Sequence, residues 1–173
     1  PGVLRASFLN SGQICLCGSR VLIHSSIYDE FMSRYLEQLQ SFEIGPVISD
    51  SHRDKVMSYV ELAIQEGGNI LAGGNIPDKP GSWIEPTVIG GLSHKSRTAT
   101  EEIFGPVVTI HQFDSDDEAV EMANSTQYGL AGSVWSKNKG RTIAEKIDSG
   151  MVWVNTWLHR DLRVPFGGVK DSG

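Results

Sequence analysis

The hydrophobic pattern of this chain changes period repeatedly, and that alternation limits what it can fold into. Arg20-Val21-Leu22-Ile23-His24 is a short β-branched run that reads as a buried strand. It is followed at once by Ile27, Phe31, Tyr35 and Leu39, apolar residues four apart that form one helix face. Ser25 and Ser26 offer that helix an N-cap, Asp29 and Glu30 lie in its first turn, and it is expected to end near Ser41. A second helix is expected from Asp50 to Glu66, stopped by Gly67-Gly68, with a short strand over Asn69 to Ala72 behind it. Trp83 to Ile89 reads as extended chain, and Pro86 within it suggests a sheet edge. Strands are expected again at Val107 to Phe113, Leu130 to Ser136 and, buried, Met151 to Asn155. Helices fall between them, one from Asp116 to Ala123 and one capped by Asn138 that carries Ile143, Ala144 and Ile147. The tail from Thr156 to Gly173 reads as loop.

Strand and helix in alternation imply an α/β fold: a mostly parallel sheet with helices on both faces and right-handed crossovers. In such folds ligands gather at the carboxyl ends of the strands, and a site is expected there. With 173 residues the chain is one domain, large enough for a real core.

A formal net charge of -6 argues against nucleic acid or an anionic membrane as partner and favours small molecules or other proteins. No apolar run is long enough to span a bilayer, and the first residues lack the layout of a signal peptide, so a cytoplasmic location is expected. The two cysteines, Cys15 and Cys17, are too close for a useful bridge, and the histidines show no ligand spacing, so neither a disulfide nor a metal site is expected. No G-x-G-x-x-G or Walker-type loop occurs to cradle a phosphate.

Three places can carry chemistry. Cys15 follows Asn10-Ser11-Gly12-Gln13-Ile14 and precedes an apolar strand. A lone cysteine is more often a small buried hydrophobe than a nucleophile. Here Gly12 permits an unusual turn, and the N–H groups of Ile14 and Cys15 can form an anion pocket that lowers the thiol pKa and holds an oxyanion. Glu101-Glu102 enters Ile103-Phe104-Gly105-Pro106. That is either a solvated acidic turn or a carboxylate for a ribose diol beside a flat aromatic face. Arg160 and Arg163 flank Asp161 and form either a surface ion pair or a fork for a substrate carboxylate.

Asn10 to Cys15, Glu101 to Pro106, Tyr128-Gly129-Leu130 and Pro165 to Gly173 resemble, in order, the signatures of NAD(P)-dependent aldehyde dehydrogenases. Cys15-Leu16-Cys17 with Ser19-Arg20, and Trp153 to Trp157 with Arg160 to Arg163, look most like the 2-aminomuconate and 2-hydroxymuconate semialdehyde branch. The resemblance implies the catalytic-domain fold of that superfamily over residues 1–173, with Cys15 attacking an aldehyde to give a thiohemiacetal and then a thioester. It implies that Glu102 holds the nicotinamide ribose of NAD, with NADP as the alternative, that Phe104 packs near the nicotinamide, and that Arg160 pairs with a substrate carboxylate. It also places the dinucleotide-binding half, the general base and an oxyanion amide ahead of residue 1, and the oligomerisation strand after residue 173. A fragment of a homo-oligomeric enzyme is therefore expected, with little or no turnover alone. Exposed Trp153 or Trp157 would mark where the other half docks. The resemblance further implies a longer loop after Phe42. The alternatives are a non-catalytic domain that keeps the fold and binds a partner, and a thiol esterase without cofactor.

Overall fold

The two periods of the sequence fold into two kinds of layer in a computed structural model that describes residues 1–173. In chain order the elements are α1 (Gly2–Phe8), β1 (Arg20–His24), α2 (Tyr28–Leu39), α3 (Asp50–Gln65), β2 (Asn69–Ala72), β3 (Thr87–Gly90) and α4 (Arg97–Thr100). They continue with β4 (Val107–Phe113), α5 (Asp116–Asn124), β5 (Tyr128–Gly129), β6 (Ala131–Val134), α6 (Gly140–Ala144), β7 (Met151–Val154) and β8 (Val169–Lys170).

The main sheet has the order β1-β4-β3-β2. β1, β4 and β3 run parallel, and β2 is antiparallel to β3. β3 and the first five residues of β4 are fully buried, so both faces of the sheet must be covered. Alternation along the strands divides the core. Val88, Val108 and Ile110 pack with Ile23 against Leu4 and Phe8 of α1 and Met32, Tyr35 and Leu39 of α2. Ile89 and Val107 turn the other way, against Val56, Val60 and Ala63 of α3 and against Leu92 and Ile103. Burying each such side chain contributes roughly 1.5–3 kcal/mol before entropy is counted. The partly buried Arg20 guanidinium donates to the carbonyls of Met122 and Ala123, 2.8 Å each, and so ties β1 to the C-terminal turn of α5.

The α/β class and the mostly parallel sheet agree with the pattern reading, but several local expectations fail. Pro86 does not mark an edge: it ends just short of β3, an interior strand, where its missing N–H costs no ladder bond. Ser25 and Ser26 do not cap α2; they form a short 3-10 turn in which His24 Nδ1 accepts from Ser26 N. Asn138 does not cap α6, which is only five residues long and leaves Ile147 outside; Ser136 Oγ accepts from Lys139 N instead. β7 is half-exposed rather than buried, because β6 and β7 form a separate two-stranded parallel sheet. The tail is not all loop: β8 pairs antiparallel with β5. No helix is long and apolar enough to cross a membrane.

Candidate active site

Between α1 and β1 the chain makes a left-handed turn. Asn10, Ser11 and Gly12 have φ of +52°, +56° and +70°. The left-handed region costs an L-residue about 1 kcal/mol or more, so such a turn persists only where its surroundings hold it. Ser11 is buried, and its Oγ donates to the Gly45 carbonyl at 2.7 Å. Asn10 Nδ2 donates to the Gln13 carbonyl at 3.1 Å, and Gln13 N returns a bond of the same length to the Asn10 carbonyl. Cys15 follows with its side chain exposed. The N–H groups of Ile14 and Cys15 donate to no group of the chain, whereas Cys17 N donates to the Ile14 carbonyl at 2.9 Å.

Gly12 lies directly against the second motif. A β-carbon on Gly12 would stand 2.1 Å from the Gly105 carbonyl oxygen, so only glycine fits. The neighbouring Phe104 also has a left-handed backbone, φ +61°, and the residue is 37% exposed. Its carbonyl lies 2.7 Å from His52 Nε2 on the first turn of α3. Glu102 is exposed, and its backbone carbonyl accepts from Lys55 Nζ at 3.4 Å. The preceding acid behaves differently. Hydrogen bonds from Arg97 and Tyr59 tie the Glu101 carboxylate down and hold its pKa below the usual range.

The turn before Cys15 and the turn at Phe104 thus meet through Gly12 and Gly105. Both turns lie at the amino ends of β1 and β4, which run parallel, and not at the carboxyl ends where a site was expected. Each turn feeds its strand, so the register of the sheet sets their spacing. The loop after β7 reaches the same place from another side, where Trp157 Nε1 donates to the Leu16 carbonyl at 2.8 Å. Arg160, further along that loop, is exposed and lies over the Phe166 ring at 4.9 Å. Arg163 is bound to Asp161, the surface pair that its spacing allowed. Trp153 and Trp157 are half-buried rather than exposed, whereas Leu162, Val164 and Phe166 of the same loop and Trp135 are among the exposed apolar side chains. Cys17 is partly buried, and burial pushes its thiol up to about 11. His52 was not anticipated from the sequence, nor were the contacts that Ser11 and Trp157 make; the partners of the three lie 52, 34 and 141 residues away. No local spacing signals contacts of that range.

Residues 1–173 match the family model described as the aldehyde dehydrogenase family. The chain is 47% identical to a 2-aminomuconic 6-semialdehyde dehydrogenase of a Pseudomonas species, a match covering 99% of this chain and 38% of that protein. It is 43% identical to the human 2-aminomuconic semialdehyde dehydrogenase, covering 100% of this chain and 39% of that protein. A betaine aldehyde dehydrogenase of Staphylococcus aureus, solved in complex with NAD+, superposes with a TM-score of 0.94 at 38% identity, over 98% of this chain and 37% of that one. The chain therefore spans less than two-fifths of the length of these relatives. The stretches matched in the semialdehyde dehydrogenases are 189 and 192 residues long against 173 here, so the relatives carry residues inside the matched region that this chain lacks. On the family model, which spans all 173 residues, the chain belongs to the aldehyde dehydrogenase family.

Proposed function

We propose that these residues supply the thiol side of an NAD-dependent oxidation of an aldehyde, a semialdehyde whose other end is a carboxylate, to a carboxylic acid. The observation that carries this reading is the exposed Cys15 on a left-handed turn pressed against the Phe104-Gly105 turn. In it, Cys15 sulfur bonds to the aldehyde carbon, and the carbonyl π pair moves to oxygen, where the unpaired N–H groups of Ile14 and Cys15 receive the negative charge. When bound, NAD supplies the acceptor for the hydride on that carbon. The exposed Phe104 and Glu102 suit the nicotinamide and its ribose. Collapse of the oxyanion leaves a thioester on Cys15. Water then adds to it, the C–S bond breaks with its electron pair returning to sulfur, and the acid leaves. The base that takes the water proton and the dinucleotide-binding half belong, in this reading, to a part of the enzyme other than these residues. Arg160 meets the carboxylate at the other end of the substrate, since its guanidinium is exposed and engaged only with the Phe166 face.

An activated ester tests the thiol chemistry without cofactor. With p-nitrophenyl acetate, mass spectrometry should find the acetyl group on Cys15, lost in Cys15→Ser and kept in Cys17→Ser. Acetylation of Cys17, or of neither thiol, would overturn the reading in favour of a non-catalytic domain.

A further inference from the structure

We propose that the N-terminal turn of α3 is a two-point brace that sets the thiol turn against the Phe104 turn, with His52 as its positioning residue. The proposal rests on the reading of Cys15 as nucleophile. One tie comes from Ile48, two residues before the helix, whose N–H donates to Gln13 Oε1 at 2.9 Å. The other is the His52 imidazole, which lies 2.7 Å from the Phe104 carbonyl, with the two rings edge to face. His52 is itself fixed at its backbone, because its N–H donates to Oγ of the cap residue Ser49 at 3.2 Å. One helical turn later Val56 closes on the same turn, where a β-carbon on Gly105 would stand 2.5 Å from Val56 Cγ2.

These contacts make a closed triangle. The start of α3 holds the thiol turn through Gln13 and the phenylalanine turn through His52, and the two turns press on each other through Gly12 and Gly105. Asn10, Ser11 and Phe104 all have left-handed backbones, a conformation that relaxes when its restraints are cut. Releasing one corner therefore moves the other. His52 acts through the Phe104 carbonyl and touches no reacting atom, so any side chain of similar reach that carries an N–H can replace it. Glutamine meets that demand; leucine fills similar space and cannot donate.

The test is the rate at which iodoacetamide alkylates Cys15, read by mass spectrometry with Cys17 as internal control, in the wild-type chain, His52→Gln and His52→Leu. Thermal melting confirms that each variant is folded. Cys15 in His52→Gln should react at the wild-type rate, and in His52→Leu roughly threefold or more slowly, the loss expected for one hydrogen bond, with Cys17 unchanged. Should His52→Leu not fold, Gln13→Met cuts the other tie and should slow Cys15 similarly. A folded His52→Leu or Gln13→Met chain that labels at the wild-type rate or faster overturns the brace. A wild-type chain in which Cys15 reacts no faster than Cys17 sinks the nucleophile reading instead.

Discussion

Gly12 is the residue on which the two turns rest. Its φ of +70° and the 2.1 Å that a β-carbon would leave to the Gly105 oxygen combine two penalties at one position. Gly12→Ala should lower stability by about 3 kcal/mol or more in urea unfolding, well above the effect of an ordinary surface change. A loss below about 1 kcal/mol would mean that the two turns do not touch as described. The cysteines separate by burial in the same way. With its thiol pushed up to about 11, Cys17 is a thiolate in only about one molecule in a few thousand at pH 7.5. Iodoacetamide should therefore label Cys15 first, and Cys15→Ser should leave almost no fast label; rapid modification of Cys17 would contradict its burial. The turn at Gly12 was legible in the sequence, since a glycine ahead of a cysteine already signals a special turn. His52 was not, because nothing at position 52 announces a carbonyl 52 residues away.

Among the elements, those with long periodic patterns matched their expected bounds closely. α2, α3, α5 and β4 all lie within a few residues of where the apolar spacing and caps placed them. β5 and β8 were invisible, because two-residue strands exist only through their pairing with each other. The candidate turns sit at the amino ends of the sheet because Cys15 and Phe104 both precede their strands in the chain. α3 joins fold to site, and its cap is the place to test it. Ser49 Oγ accepts from His52 N, so Ser49→Ala should cost about 1 kcal/mol in chemical denaturation, a typical N-cap loss. An unchanged unfolding midpoint would show that the helix start is held by its neighbours and not by its cap.

For the molecule as a whole, His111 couples stability to pH. It is 5% exposed on β4, with Nε2 3.0 Å from Thr109 Oγ1. Burial chiefly, then the Arg20 guanidinium and His94, pushes it down to about 4 from an ordinary 6.5, against a smaller opposing effect of the Leu92 backbone. The unfolded chain thus takes up a proton near pH 6.5 that the folded chain refuses until about pH 4. Between those values the unfolded state binds more protons, so stability rises with pH. The contribution is complete above pH 6.5 and falls away on acidification towards pH 4, by about 3 kcal/mol in all. Carboxylates such as Glu101, held low chiefly by Arg97, lose their own contribution on the same acid side. They titrate below about pH 5, which leaves pH 6.5 to 5 as the window belonging to histidine. Urea unfolding across that window should show the wild-type chain losing about 2 kcal/mol while His111→Gln, less stable at neutral pH, stays nearly flat. Parallel losses in the two proteins would exclude His111 as the source and move the coupling elsewhere in the molecule.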